Sequence, residues 1–421
     1  MKKIIWYFHH YASQPSLTGL TRPYNFGQVL KDKGYHIIVF AASYLHFSNE
    51  NLIKDKKPFI VLEDNGVTFV YIKTPDYLGN GISRVKNMLV YYKNIFEVTK
   101  RFAKENGEPD IIIGSSPHPL AMVAGIKIAK IRNIPCICEV RDLWPEEIFL
   151  IGKSSEKSII GRLMIAGENW IYKKADAIIF TKEGHTDYLK ERGWDSEHGG
   201  NININKCWYI NNGVNLNDYE KSLEQFILDD PDLHKQIFNI VYTGAIRTSN
   251  NVGNILDCAV LLKEHSDIQF LIYGGGDELD AIKKRVQNEK LTNVKIKGYV
   301  NRRFIPYILN HASVNILNYS NNLVNWSRGD SSNKLFEYLA SGKPIISNVK
   351  MGYCLIERYK CGLTIDENTP KALADAILNI KNMNKNEYDQ MSNNALIGVK
   401  EFDFNVLSNK LIQLINSLEK I

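Results

Sequence analysis

The sequence predicts an α/β protein made of two doubly wound parallel-sheet domains, on three observations. At 421 residues the chain exceeds one ordinary core. Short β-rich runs alternate with amphipathic helical segments, the pattern of a parallel sheet covered on both faces. The alternation breaks once, at the polar Gly/Asn-rich "DSEHGGNININ" (Asp195–Asn205), and then resumes. These observations place one domain over residues 1–200 and another over 206–399. A terminal amphipathic helix over about 400–421 is expected to pack back on the first.

In order, "KIIWYF" predicts a first strand, followed by a helix from about Arg22 to Lys33 and the strand "GYHIIVFAA". "VTFVYIKT" predicts a strand, and a long helix follows from about Ser83 to Lys104. "PDIIIGSS", a helix through "LAMVAGIKIAKIR", "PCICEVR", a helix around Ile159–Lys174 and "ADAIIFT" complete the first series. The second series holds the strands "FNIVYTGAI", "IQFLIYGGG", "VKIKGYV", "ASVNILNY" and "PIIS". Its helices run through Val260–Glu264, through Leu279–Glu289, and through "NKLFEYLASG". A ligand of such folds sits beyond the carboxyl ends of the strands, and two such domains are expected to face each other across a cleft.

Bulk properties exclude several classes. Hydrophobic content of 44% and charged content of 23% suit a globular protein. A net charge of +6 suits an anionic ligand or an acidic membrane surface. Without an Arg-rich block or an RNA-binding motif, it does not point to nucleic acid. The six scattered cysteines form no CxxC pair, which fits a reducing cytoplasm. "MKKIIWYFHHYASQ" has only five apolar residues before two histidines, too few for a signal peptide. No run approaches the roughly 18 apolar residues a membrane span needs, so a protein acting at a membrane would lie on it.

The residues that could carry chemistry follow strands. Gly19, with Ser16 and Thr18 nearby, lies between the first strand and its helix, where backbone N–H groups can approach phosphate. A plain strand–helix loop accounts for it equally. In the second domain Gly244 and Arg247 follow one strand, Gly274 to Gly276 the next, and Gly298 a third. The stretch "DSSNKLFEYLASGKPIIS" then opens a helix with Lys334 and Glu337 one turn apart. It reads either as an ordinary capped helix start with a surface pair, or as a seat for a nucleotide diphosphate. Glycine, arginine or lysine at four strand ends of one domain favours the second reading: cations for phosphates, a carboxylate for ribose hydroxyls.

In the first domain His118 stands between two prolines after a strand, and "EVRDLWPEE" supplies Glu139, Arg141, Asp142 and Glu146. The histidine is either a satisfied core residue or a group facing a ligand. The acidic and basic cluster is either an internal salt bridge or the acceptor side of a site. Asp230 and Asp232 have an Asp-x-Asp spacing that elsewhere chelates a divalent ion, but they precede a strand and read as a turn and helix cap. No metal ligand set is expected. The helix "RVKNMLVYYKNIFEVTKRFAK" is amphipathic, with Arg84, Lys86 and Lys93 on the basic face opposite its apolar stripe. It can cover the sheet, lie on anionic lipid, or do both.

The blocks "SLTGLTRPYNFGQVLKDKGYHIIVFAA", "SSPHPLAM", "EVRDLWPE", "INNGVN", "YTGAI", "IYGGGDE" and "NKLFEYLASGKPII" together resemble family 4 of the bacterial glycosyltransferases, which have the GT-B fold. The likeness spans nearly the whole chain and looks closest to the fucosamine-transferase branch of O-antigen and capsule synthesis. The resemblance implies transfer of a sugar from a UDP-sugar to a polyprenyl-diphosphate-linked saccharide, with retention and without a metal or other cofactor. It implies an enzyme of the cytoplasm, peripheral on the inner face of the cell membrane. By motif match Glu337 would bind ribose, and Lys334 with Arg247 would hold the diphosphate. Gly244, Gly274 and Gly19 would line it, and Gly298, Tyr299 and Val300 would border the base. His118, Arg141 and Asp142 would face the sugar and acceptor, with Glu139 and Glu146 on the acceptor side. The family's further glutamate, eight residues before Glu337, is Gly329 here with Asp330 beside it, and the family's Lys-Gly after Gly244 is absent from "TSNNVG". A nucleotide-sugar 2-epimerase and a non-catalytic nucleotide-sugar-binding partner are the alternative readings.

Overall fold

A computed structural model of the chain describes residues 2–17, 19–79, 81–320 and 325–419. Thr18 and the last two residues of the terminal segment lie outside them. The chain divides into two compact units, residues 1–211 with 407–421, and residues 212–406.

The first unit begins β1 (Lys3–Phe8), α1 (Arg22–Leu30) and β2 (Tyr35–Ala42). A short antiparallel ladder, β3 (Tyr44–Leu45) with β4 (Glu50–Asn51), precedes β5 (Phe59–Asp64) and β6 (Val67–Ile72). Then follow α2 (Ile82–Asn106), β7 (Ile111–Ser115), α3 (Pro119–Arg132) and β8 (Cys136–Val140). The short α4 (Glu146–Leu150), α5 (Ile159–Lys174), β9 (Ala177–Phe180), α6 (His185–Glu191) and β10 (Cys207–Tyr209) complete it. The sheet order is β10-β9-β8-β7-β1-β2-β6-β5, parallel except for the antiparallel edge pair β5–β6. Its interior strands are buried along nearly their whole length, as their continuous apolar runs require.

The second unit runs α7 (Leu216–Gln225), β11 (Phe238–Thr243), α8 (Val252–Leu261), β12 (Ile268–Tyr273), α9 (Leu279–Asn288) and β13 (Val294–Gly298). Next come α10 (Ile305–Asn310), β14 (Val314–Leu317), α11 (Asn333–Ala340), β15 (Ile345–Ser347), α12 (Leu355–Tyr359) and β16 (Gly362–Thr364). The helices α13 (Pro370–Asn382) and α14 (Lys385–Val399) close it, and α15 (Phe404–Leu418) returns to the first unit. There Lys3 pairs with Glu419, Lys33 donates to Asn409, and Tyr35 meets Asn416. The second sheet is wholly parallel, in the order β13-β12-β11-β14-β15-β16. The order reverses between β11 and β14, and that switch point opens a crevice for ligands at the carboxyl ends.

Three expectations change. Residues 207–209, assigned to the second domain by sequence, form an edge strand of the first sheet, in parallel register with Ile178–Phe180. Lys206 secures them by donating Nζ to the carbonyls of Lys173 and Ala175. The edge strand β5 is missing from the sequence reading, because its alternating pattern "FIVLED" lies in a charged stretch. Helix α8 starts eight residues before the predicted segment. Its entry is a left-handed Asn251, and Asn254 turns its amide inward to Asn318 and Asn368, so polar residues there are buried.

Candidate functional site

In the second unit the strand ends converge through glycine. The Gly244 amide donates to the Tyr273 carbonyl, and the Gly274 amide donates to the Gly298 carbonyl. A Cβ on Gly274 would lie 1.8 Å from the Gly244 carbonyl oxygen, so a side chain there would separate the two loops. Helix α11 is pinned over these ends by Tyr338, whose hydroxyl accepts from the Thr243 amide at 2.9 Å. Asn212 adds a 2.6 Å bond from its side-chain amide to the Ser331 carbonyl.

This places Lys334 beside Gly244, where an added Cβ would come within 2.9 Å of the lysine Cδ. The ammonium lies over two aromatic faces, 5.0 Å from the Tyr242 centroid and 4.5 Å from that of Tyr319. Its one protein hydrogen bond among the described residues is 3.1 Å to the neutral Asn250 Oδ1. Burial lowers its pKa to about 8, against the pull of Asp330. The surface pair with Glu337 expected of an ordinary helix start does not form. Glu337 Oε1 instead accepts from Arg302 at 3.0 Å, and among the described residues Oε2 has no hydrogen bond. The buried Tyr219 hydroxyl, near enough to Glu337 to feel its charge, also has no partner among the described residues. Its pKa is raised, by burial first and by that carboxylate second.

The expected cap is absent too. Ser332 is the N-cap residue of α11, but its side chain makes no cap bond. Its hydroxyl is engaged with the Tyr319 hydroxyl at 2.7 Å and with Asp330 at 2.9 Å. Among the described residues no side chain caps the first N–H groups of α11, which lie next to a lysine, an arrangement whose dipole and charge both favour an anion. Arg247 is exposed in the loop after β11 and pairs with no carboxylate among the described residues. Tyr299 is 74% exposed just beyond Gly298, with Val300 following it. Gly329 has φ +94°, a left-handed conformation that suits glycine and strains a glutamate. Asp230 and Asp232 are not a metal pair but a clamp: each accepts from Lys297 Nζ at 2.6 Å. Among the described residues no group of three or more potential ligands could hold a metal ion.

In the first unit Glu139, expected on the acceptor side, is fully buried and committed. Arg22 Nε donates to it at 2.8 Å, and the Tyr7 and Ser115 hydroxyls at 2.7 Å each. Burial alone would raise its pKa, but Arg22 and Arg141 outweigh burial and hold it at about 2. Arg22 also donates to the carbonyls of Ile210 and Asn211, tying α1 to the chain after β10. The internal salt bridge is thus real, but its cation is Arg22, which sequence reasoning missed. A lone glutamate in the apolar run "CICEV" was the available signal that a buried cation must lie elsewhere.

Arg141 turns to His9, Nη1 to Nε2 at 3.1 Å. Asp142 has Lys182 at 4.0 Å, and Lys182 is 3.9 Å from Glu147. Glu147, passed over in favour of its neighbour Glu146, has its pKa pushed up to about 8 by burial and by Asp142. Glu146 opens α4. His118 is the N-cap residue of α3 and is fully buried, and neither ring nitrogen has a hydrogen-bond partner among the described residues. Its ring lies 4.6 Å from that of His10. Burial first, then Arg84, lowers its pKa to about 3, so it is neutral at physiological pH. Gly19 packs against Ser13, whose Oγ an added Cβ would meet at 2.2 Å. Arg84, expected on an outward basic face, turns inward: Nε donates to the Tyr11 hydroxyl at 2.9 Å. Lys86 and Lys93 are exposed as expected.

Residues 225–396 match the family model of the group 1 glycosyl transferases, and residues 28–198 that of a glycosyl transferase 4-like domain. No curated protein matches the chain. Among solved structures, sucrose-phosphate synthase from Thermosynechococcus elongatus is similar at a TM-score of 0.72 and 18% identity, with 100% of both chains covered. HepE from Anabaena in complex with UDP-glucose gives 0.65 and 13%, covering 99% of this chain and 100% of that one. WaaG, a glycosyltransferase involved in lipopolysaccharide biosynthesis, gives 0.64 and 13%, covering 98% of this chain and 99% of that one. At these identities the structural likeness shows the fold, GT-B with two Rossmann-like units.

Proposed function

Because the chain belongs to the glycosyltransferases of the group 1 type, we propose that it transfers an N-acetylated hexosamine or deoxyhexosamine from a UDP-sugar. The acceptor in this reading is a polyprenyl-diphosphate-linked saccharide of bacterial surface polysaccharide synthesis, of the O-antigen or capsule type. The observation that carries the donor assignment is Lys334: an ammonium lying over two aromatic rings, paired with no carboxylate among the described residues, at a start of α11 that Ser332 does not cap. Such a group is positioned to meet a diphosphate. Glu337, one turn on, has an oxygen available for ribose hydroxyls, and the exposed Tyr299 with Val300 offers a surface for the base.

Departure of the nucleoside diphosphate develops negative charge, so the chief catalytic need is neutralisation. Lys334, Arg247 and the α11 N-terminus meet that need in this reading, without a metal. For a retaining reaction the acceptor oxygen attacks on the face the diphosphate leaves, and the diphosphate takes its proton. His118, Arg141 and Asp142 are proposed to face the sugar and acceptor. The neutral, unpartnered imidazole of His118 at a strand end supports its part in this.

Peripheral attachment to the inner face of the cell membrane is proposed from α2. Exposed Lys86 and Lys93 accompany exposed Ile82, Val85 and Leu89 on that helix. Among the described residues no helix is long and apolar enough to cross a membrane. The family match disfavours the 2-epimerase.

The test is calorimetric titration with UDP, GDP, ADP and CMP. The proposal expects UDP to bind, and expects Glu337→Ala and Lys334→Ala each to weaken it. Full binding by both variants, or no binding of any nucleotide, would refute it.

A further inference from the structure

The first unit holds a cavity of about 410 Å3 between α3 and α5 that the reading above does not use. Its wall is mainly apolar: Leu120 and Val123 from α3, Trp144 from the loop between β8 and α4, Met164 and Trp170 from α5. Glu168, which also borders it, turns its carboxyl inward to the hydroxyls of Tyr172 (2.8 Å) and Tyr188 (2.6 Å), so the charged lining is confined to Lys127 and Asp142. Gly167 sits in the same wall, in the middle of a sixteen-residue helix, with open space where a Cβ would be. A glycine there costs about 1 kcal/mol of helix stability relative to alanine, and nothing in the packing of this chain demands it. The open space there admits a methyl group, whereas a long side chain at this position would project into the groove.

Two further features fix what the groove would take. The cavity reaches Asp142, one of the candidate acceptor residues, with exposed Lys127 beside it and Lys182 4.0 Å from the Asp142 carboxylate. Away from it, the face of α5 carrying Gly167 and Trp170 continues as Ile160 and Leu163, at spacings of three and four residues. These two are 66% and 68% exposed, and Ile159 beside them is 80% exposed. An apolar track thus runs from the exposed start of α5 to a charged end at Asp142. A peptide would bury its backbone amides against aliphatic and thioether groups, which is unfavourable. A hydrocarbon chain matches the apolar track, and an anionic head on it would be drawn to exposed Lys127 and held off Asp142 at the charged end.

We propose that this groove holds the first isoprene units of the lipid-linked acceptor, with the diphosphate at the Lys127 end. The proposal rests on the lipid-linked acceptor reading above. At the ~30 Å3 a water occupies, the cavity accommodates on the order of a dozen carbon-sized groups.

The experiment is a titration of the full chain with farnesyl diphosphate, read by tryptophan fluorescence, with inorganic diphosphate as the chain-free control. UDP binding is measured on the same samples. The expected result is saturable quenching by farnesyl diphosphate and none by diphosphate. Gly167→Leu and Met164→Glu should weaken it at least about tenfold, while Gly167→Ala binds as the parent does. All three variants should keep UDP affinity, which reports on the other unit and on folding. Equal affinity in Gly167→Leu, or equal quenching by inorganic diphosphate, would overturn the groove. Loss of UDP binding in the parent protein would refute the donor reading and leave the groove result standing.

Discussion

The strand ends of the two units handle charge in opposite ways. In the first unit the carboxylate of Glu139 is surrounded by Arg22, Tyr7 and Ser115, with nothing left over. The nearby His9 and His118 are neutral through burial. In the second unit, among the described residues, half-buried Lys334 has an amide oxygen and two ring faces for company, and Glu337 has one guanidinium contact. The first arrangement is complete without a ligand, whereas the second, in the proposed reading, is completed by one. Charge placed for stability and charge placed for binding differ here in whether the protein itself supplies the counterion.

That contrast can be broken from either side. The largest expected effect is on the closed side. Arg22→Ala leaves a buried, uncompensated carboxylate and should cost about 3–5 kcal/mol in denaturant unfolding. On the open side Lys334→Met should leave stability nearly unchanged while lowering UDP affinity by about 1.5–3 kcal/mol, the worth of a charged hydrogen bond. A smaller effect follows from Gly329→Ala, which should cost about 1 kcal/mol of stability because φ is +94°. Smaller still, Arg302→Ala removes a partner that is 57% exposed and should change stability by less than about 1 kcal/mol. It should also free Glu337 for ribose rather than impair UDP binding.

The pH dependence sharpens the same comparison. Glu139 has a folded pKa of about 2, below the ordinary carboxylate value. Its stabilisation is present above about pH 4 and is lost as pH falls towards 2. Glu168 behaves oppositely. Burial raises its pKa to about 8, so the folded state binds the extra proton. Stability should therefore decline as pH rises from about 4 through 8. Thermal melts of Glu168→Gln across that window should show a flatter profile than the parent.

The sequence carried the architecture well where periodicity was clean. Helix α5 runs Ile159–Lys174 as read, and the strand ends bearing Gly244, Gly274 and Gly298 converge as their spacing implied. Lys334 and Glu337 stood out because a lysine and a glutamate open a helix after a run of small polar residues. What stayed hidden depended on partners distant in the chain. Arg22 and Glu139 are separated by 117 positions, and neither announces the other. Arg84 looked outward on a helical wheel, yet the Tyr11 hydroxyl turns it inward. The three residues of β10 carry no mark of which sheet they join; Lys206 and the register with β9 decide it.

The measurement that tests the central claim most directly is UDP affinity at pH 7 and pH 9.5 for the parent chain, Lys334→Arg and Lys334→Met. With the Lys334 pKa at about 8, the account predicts that the parent loses affinity between the two values. Lys334→Arg should bind with little pH dependence, and Lys334→Met should bind weakly at both. A parent affinity unchanged across that range, or Lys334→Met binding as tightly as the parent, would contradict it.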